Sequence, residues 1–207
     1  MDVIETTRPL AGLKVGIFIE SDFYEPEIWY YQHRFLEEGI ELHWLTRLWG
    51  QKNIVFQGHE NHVPISLPEE SLEEDNLTDE KLRSFAAVIV PSGIVADRLR
   101  YTEDVSKWPP ATAALQRFFG EKNILKGIIC HGLWLCAPAP ELVRNRRLVV
   151  HNNLYGDARN MGAIYVDSDV VVDDDLVTAR TGGHCHLLAR TLIDLLTQKQ
   201  DLARSAS

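Results

Sequence analysis

Cysteine is scarce and unevenly placed: Cys130, Cys136 and Cys185 make three, an odd count without paired spacing. That argues against a disulfide framework and suits a reducing compartment. A zinc site is poorly supported as well. His59 and His62 fall in a polar, turn-rich stretch without a nearby cysteine, where histidines are more often simply solvated. Positive charge is in deficit, with 21 Lys and Arg against 30 Asp and Glu and a formal net charge of -9. Like charges repel, so a broad surface for nucleic acid or anionic membrane is not expected, although a local basic pocket is not excluded. No apolar run approaches a bilayer span. The start, MDVIETTRPLAG, lacks a basic segment followed by an apolar one, so no secretory signal is visible and a cytoplasmic location is the default expectation. No metal or organic cofactor is implied.

What is present is an ordinary globular composition. At 207 residues, 45% hydrophobic and 25% charged, the chain is long enough for one domain with a sizeable core. No repeat or low-complexity linker divides it. The expected boundaries are a domain over 12–197, an N-terminal extension over 1–11 and a flexible polar tail over 198–207.

Short β-branched runs bounded by turn residues read as buried parallel strands at Leu13 to Glu20, Ala86 to Pro91 and Leu125 to Cys130. Helical spacing of Ile28, Tyr31 and Phe35 predicts a helix from Ile28 to Glu38, stopped by Gly39 and followed by a strand from Ile40 to Thr46. Residues 50–65 suggest a hairpin, and acidic 66–84 a solvated loop with a short helix. Further helices are expected at Pro109 to Phe119, from His131 onward, at Tyr155 to Met161 and at Leu187 to Leu196. Short strands are expected at Arg147 to Val150 and Ile164 to Val166, with a hairpin of Val170 to Val172 and Leu176 to Ala179. Alternating elements of this kind predict an α/β three-layer sandwich: an open, mostly parallel sheet with helices on both faces. Ligands of such sheets bind beyond the carboxyl ends of the strands. Glu20 to Glu27, Pro91 to Asp97 and Cys130 to Gly132 would deliver polar groups there.

The segment GIICHGLW, Gly127 to Trp134, has the shape of a nucleophile elbow, a buried strand ending at a reactive residue where a helix begins. Unpaired N–H groups and the positive end of a helix favour a thiolate. They can lower a thiol from about 8.5 to roughly 3.5–7.5 in pKa. The alternative is that Cys130 is a small buried hydrophobe, the usual fate of a free cysteine. Cys136 and Cys185 are given that plainer role.

GIICHG resembles the cysteine elbow of the ThiJ/PfpI superfamily, whose fold is flavodoxin-like and similar to class I glutamine amidotransferases. The resemblance extends from about Gly12 to Leu196. LKVGIFIESDFYEPEIWYYQHRFLEEGIEL resembles the first strand, acidic turn and helix. AAVIVPSGIVADRLR resembles the strand leading to a Pro-Gly-Gly turn, and RLVVHNNLYGDARNMGAIYVDSDVVVDDDLVTART the closing strands. The PfpI-like branch is the nearest, described variously as protease, amidase and deglycase. The resemblance implies that Cys130 is the nucleophile, His131 its paired histidine and Glu27 a glutamate beside the sulfur. It implies that the Gly93 and His131 amides form an oxyanion hole. It also implies that Asp97 reaches the Cys-His pair of a neighbouring subunit. From the residues alone, Glu27 would be a solvated first-turn carboxylate, Gly93 a turn glycine, and Asp97 the partner of Arg98 or Arg100 in a surface ion pair.

Departures from the family pattern are Ser92 for the first glycine of the turn, Tyr24 for an acidic residue, Leu133 for proline, and His184 near the last helix. Ser92 is expected to restrict positive φ and alter the oxyanion loop. The implied activity is cysteine-dependent attack on a small carbonyl, as in a glyoxalase or deglycase, or on a peptide or amide bond. A redox-responsive stress protein sensing oxidants through Cys130 and a noncatalytic dimeric relative are the alternatives. The implied assembly is a homodimer or higher homo-oligomer.

Overall fold

Continuous apolar strands can be buried on both faces only if helices cover them, and the chain is built this way. The computed structural model describes residues 8–52, 54–65, 69–72 and 76–205. In chain order these form β1 (Lys14–Phe18), α1 (Glu25–Glu37), β2 (Glu41–Thr46), β3 (Phe56–Gln57), β4 (Pro64–Ile65), β5 (Glu69–Ser71) and α2 (Asp79–Arg83). Then follow β6 (Phe85–Val90), α3 (Val95–Leu99), α4 (Pro110–Gly120), β7 (Leu125–Ile129) and a 3-10 helix over Cys130–Cys136. The chain continues with β8 (Arg147–Leu148), α5 (Tyr155–Asn160), β9 (Ile164–Tyr165), β10 (Val170–Asp173), β11 (Leu176–Ala179) and α6 (Cys185–Ser205).

The main sheet has the order β10-β11-β7-β6-β1-β2-β5. Its pairings are parallel except β10 with β11. Helices α1 and α6 pack together, while α3, α4 and the Cys130–Cys136 turn form a second group. Beyond β1 the chain adds β2 and β5 on one side and then crosses to β6 on the other, so strand order reverses between β1 and β6. Ligand sites of open sheets favour that position.

The expected fold class is the observed one, with local differences that have physical causes. Helix α1 begins at Glu25 because Pro26 occupies its first turn, where a missing N–H costs least. Within the acidic stretch expected to be a loop, Glu69–Ser71 instead pairs with β2, because backbone groups at a sheet edge accept a partner strand whatever the side chains. Residues 66–68 and 73–75 of that stretch lie outside the described residues. The tail expected to fray continues α6 to Ser205, and Leu10 of the N-terminal extension is buried in the core at 1% exposure. Among the described residues no helix is long and apolar enough to cross a membrane.

One charge sits inside the sheet. Lys126, on β7, is fully buried and donates to Asp175 at 2.7 Å and to the Glu121 carbonyl at 2.7 Å. Arg146 donates to the other Asp175 oxygen at 2.8 Å. Burial pushes the Asp175 carboxyl up, but Lys126 and Arg146 more than offset this and hold it below its ordinary range. A buried charge is tolerated only with such partners.

Candidate active site

The sulfur of Cys130 lies where β7 ends. Cys130 has φ of 57°, in the left-handed region, which costs a non-glycine residue on the order of 1–3 kcal/mol and tends to mark functional sites. Gly132 allows the turn to close: a Cβ there would stand 2.6 Å from the Val90 carbonyl oxygen. The following segment is a 3-10 helix over Cys130–Cys136 rather than the expected α-helix. Cys130 is 7% exposed and opens into a cavity of about 660 Å³.

The electrostatics correct the expectation of a thiolate at rest. Burial pushes the Cys130 thiol up to about 11, Glu27 adds to the rise when ionised, and the amides of Gly182 and His131 pull the other way. A short 3-10 turn has too small a dipole to offset the loss of water. The resting sulfur is therefore a neutral thiol, with His131 Nδ1 at 3.2 Å. Burial and the nearby His151 lower the His131 pKa, which keeps the ring neutral and able to accept a proton. Its ring packs against Trp134 at 4.9 Å and His151 at 5.0 Å between centroids.

Glu27 is fully buried, not solvated. Its helix turn points inward because Glu27, Ile28, Tyr31 and Phe35 share the buried face of α1. Oε2 accepts from the Ser92 amide at 2.9 Å and from the Ser92 hydroxyl. Oε1 has no hydrogen-bond partner among the described residues. The Tyr31 hydroxyl influences Glu27 but does not reach hydrogen-bonding geometry with it. Burial raises the Glu27 pKa to about 7, against the pull of Ser92. Positive φ falls on Gly93 at 81° and not on Ser92, so the serine brings no backbone strain and instead supplies a donor.

Gly93 and Asp97 line the same cavity as Cys130. The amides that reach the sulfur are those of His131 and Gly182, so Gly93 stands at the wall rather than at the thiol. Asp97 binds Arg100 at 2.6 and 3.0 Å and does not contact His131 within the chain. Among the described residues no carboxylate hydrogen-bonds to His131.

Several lining residues had no role in the sequence reading. Thr181, Gly182 and Gly183 come from the carboxyl end of β11, and the only signal for them was a Gly-Gly pair between strand and helix. His59 and Glu60, both exposed, form part of the rim. They are held there because Glu25, fully buried, accepts the amides of Glu60 at 2.9 Å and Asn61 at 2.8 Å. Tyr24, Trp134 and His151 complete the wall. Among the described residues no group of His, Cys, Asp or Glu side chains is placed to hold a metal ion.

Comparison with known proteins agrees with this construction. The family model described as the DJ-1/PfpI family matches residues 13–195. A deglycase of Pyrococcus abyssi is 28% identical over 184 residues, covering 89% of this chain and 99% of that protein. Deglycase PfpI of Pyrococcus furiosus is 25% identical with the same coverage. Among solved structures, Schizosaccharomyces pombe DJ-1 superposes with a TM-score of 0.74 at 18% identity, covering 92% of this chain and 98% of that one. That likeness concerns the fold alone. With the family model spanning nearly all of the sheet and its cysteine edge, this chain belongs to the DJ-1/PfpI family.

Proposed function

We propose that the protein is a cysteine-dependent enzyme acting on small carbonyl compounds, in the manner of a deglycase or glyoxalase. The observation that supports it best is the Cys130–His131 pair, 3.2 Å apart and open to the cavity. As the sulfur attacks an aldehyde carbon, His131 takes the thiol proton and the carbonyl oxygen becomes an oxyanion. The imidazolium then returns that proton to the oxygen, leaving a neutral hemithioacetal with no group expelled. A protonated Glu27 removes a like charge from beside the sulfur during attack. Amides at the strand ends, with Gly93 and His131 as the proposed pair, stabilise the oxyanion. Asp97 is the proposed orienter of His131, supplied by a second copy of the chain across a homodimer, since it lines the cavity and remains 44% exposed.

The names of the relatives favour carbonyl chemistry over peptide hydrolysis. Methylglyoxal conversion and chromogenic peptide hydrolysis are to be measured for the wild type and Cys130→Ser. Aldehyde turnover that falls at least a hundredfold in the variant is the expected result. Equal activity in both proteins would remove Cys130 from the mechanism.

A further inference from the structure

Ser92 follows Pro91 in the loop after β6, at the position where the resemblance led to the expectation of a glycine. Its side chain is 1% exposed. Both its amide, at 2.9 Å, and its hydroxyl approach the same oxygen of Glu27, Oε2. Ser92 Oγ has no other hydrogen-bond acceptor among the described residues, so its hydrogen is committed to Oε2. Two donors on one oxygen leave no position there for an acid proton. The hydroxyl is also walled in: a Cβ on Gly182 would lie 2.7 Å from Ser92 Oγ and 2.6 Å from the Tyr24 ring. Gly182 is in turn a residue whose amide reaches the Cys130 sulfur.

We propose that Ser92 is a positioning residue: it holds Oε2 of Glu27 with two donors, so that any proton on the carboxyl sits on Oε1. It thereby sets how readily Glu27 ionises beside the thiol. The proposal rests on the electrostatic effect of ionised Glu27 on the Cys130 thiol, and it does not require that Cys130 turn over a substrate. The groups that bear on Glu27 are Tyr31 from α1, Ser92 from the loop after β6, Cys130 from the end of β7 and Cys185 from the start of α6. The two Ser92 contacts stabilise the ionised carboxylate against burial. With the hydroxyl gone, Glu27 keeps its proton to higher pH, and the repulsion that suppresses the thiolate arrives later.

The experiment follows iodoacetamide alkylation of Cys130 from pH 5.5 to 8.5, read at the level of the Cys130 peptide by mass spectrometry. In the wild type the rise of rate with pH should show a shoulder where Glu27 ionises. In Ser92→Ala that shoulder should move upward by about half a unit or more. Alkylation would then be roughly threefold faster than wild type at pH 8 and equal to it at pH 5.5. The same serine change on a Glu27→Gln background should have no effect. A general loosening of the site would speed labelling at every pH and on both backgrounds, and would overturn the proposal. So would an unmoved shoulder. Failure of Cys130→Ser to lose enzymatic turnover would refute the proposed function while leaving this profile to be judged separately.

Discussion

A carboxyl group buried without a counter-charge costs the protein stability once it ionises, and Glu27 is such a group. Its pKa rises from an ordinary 4.5 to about 7, so the native protein holds this proton to higher pH than the unfolded chain does. Stability from this residue is complete below about pH 4.5 and falls as pH rises to about 7, by on the order of 3 kcal/mol. Glu27→Gln should flatten that slope. Urea unfolding at pH 5 and pH 8 should show a smaller difference between the two pH values than in the wild type, with the variant the more stable at pH 8. An unaltered slope would mean that the Glu27 side chain is solvated. At this scale the strand-to-turn position of Cys130 was legible, whereas the burial of Glu27 was not, since the residues alone suggest a solvated first-turn carboxylate. Their ionisation states were not legible, because desolvation depends on groups such as Ser92 and Gly182 that meet only in the folded chain.

At the scale of elements, the β3–β4 hairpin is tied to the cavity by the segment that leads into α1: Phe23 accepts the His59 amide, and Glu25 holds the hairpin tip. Glu25 stands at the start of α1 and accepts the amides of Glu60 and Asn61 at the hairpin tip. Burial tends to raise its pKa, but those amides more than compensate and hold it below its ordinary value. Glu25→Ala leaves two amides without their acceptor. Their hydrogen exchange should accelerate by about tenfold, equivalent to about 1.4 kcal/mol, while exchange in β6 and β7 stays as in the wild type. Unchanged exchange at Glu60 and Asn61 would show that the hairpin is held by other contacts. The strands were readable because β1, β6 and β7 are short apolar runs. The edge strand β5 was not, because its pairing uses backbone groups alone.

For the whole molecule, the unfinished part of the site is the second nitrogen of His131. Asp97 lies on the same cavity yet is tied to Arg100 within its own chain. If it completes the site from a second copy, Asp97→Asn and Cys130→Ser should each be deficient alone, yet recover activity when mixed under conditions that exchange subunits. The mixed dimer joins an intact Cys130 to an intact Asp97. No recovery, with subunit exchange verified by native mass spectrometry, would place Asp97 outside the chemistry or confine it to one chain.

The parallel sheet, its cysteine turn and the strand ends that carry Glu27, Gly93, Asp97 and Cys130 could be read from the residues, because apolar period and turn glycines are local properties. The tertiary structure decided that Cys130 rests as a thiol, that Ser92 grips Glu27, and that β11 and the distant hairpin contribute to the wall. These depend on burial and on hydrogen bonds between residues far apart in the chain, and no local pattern encodes them.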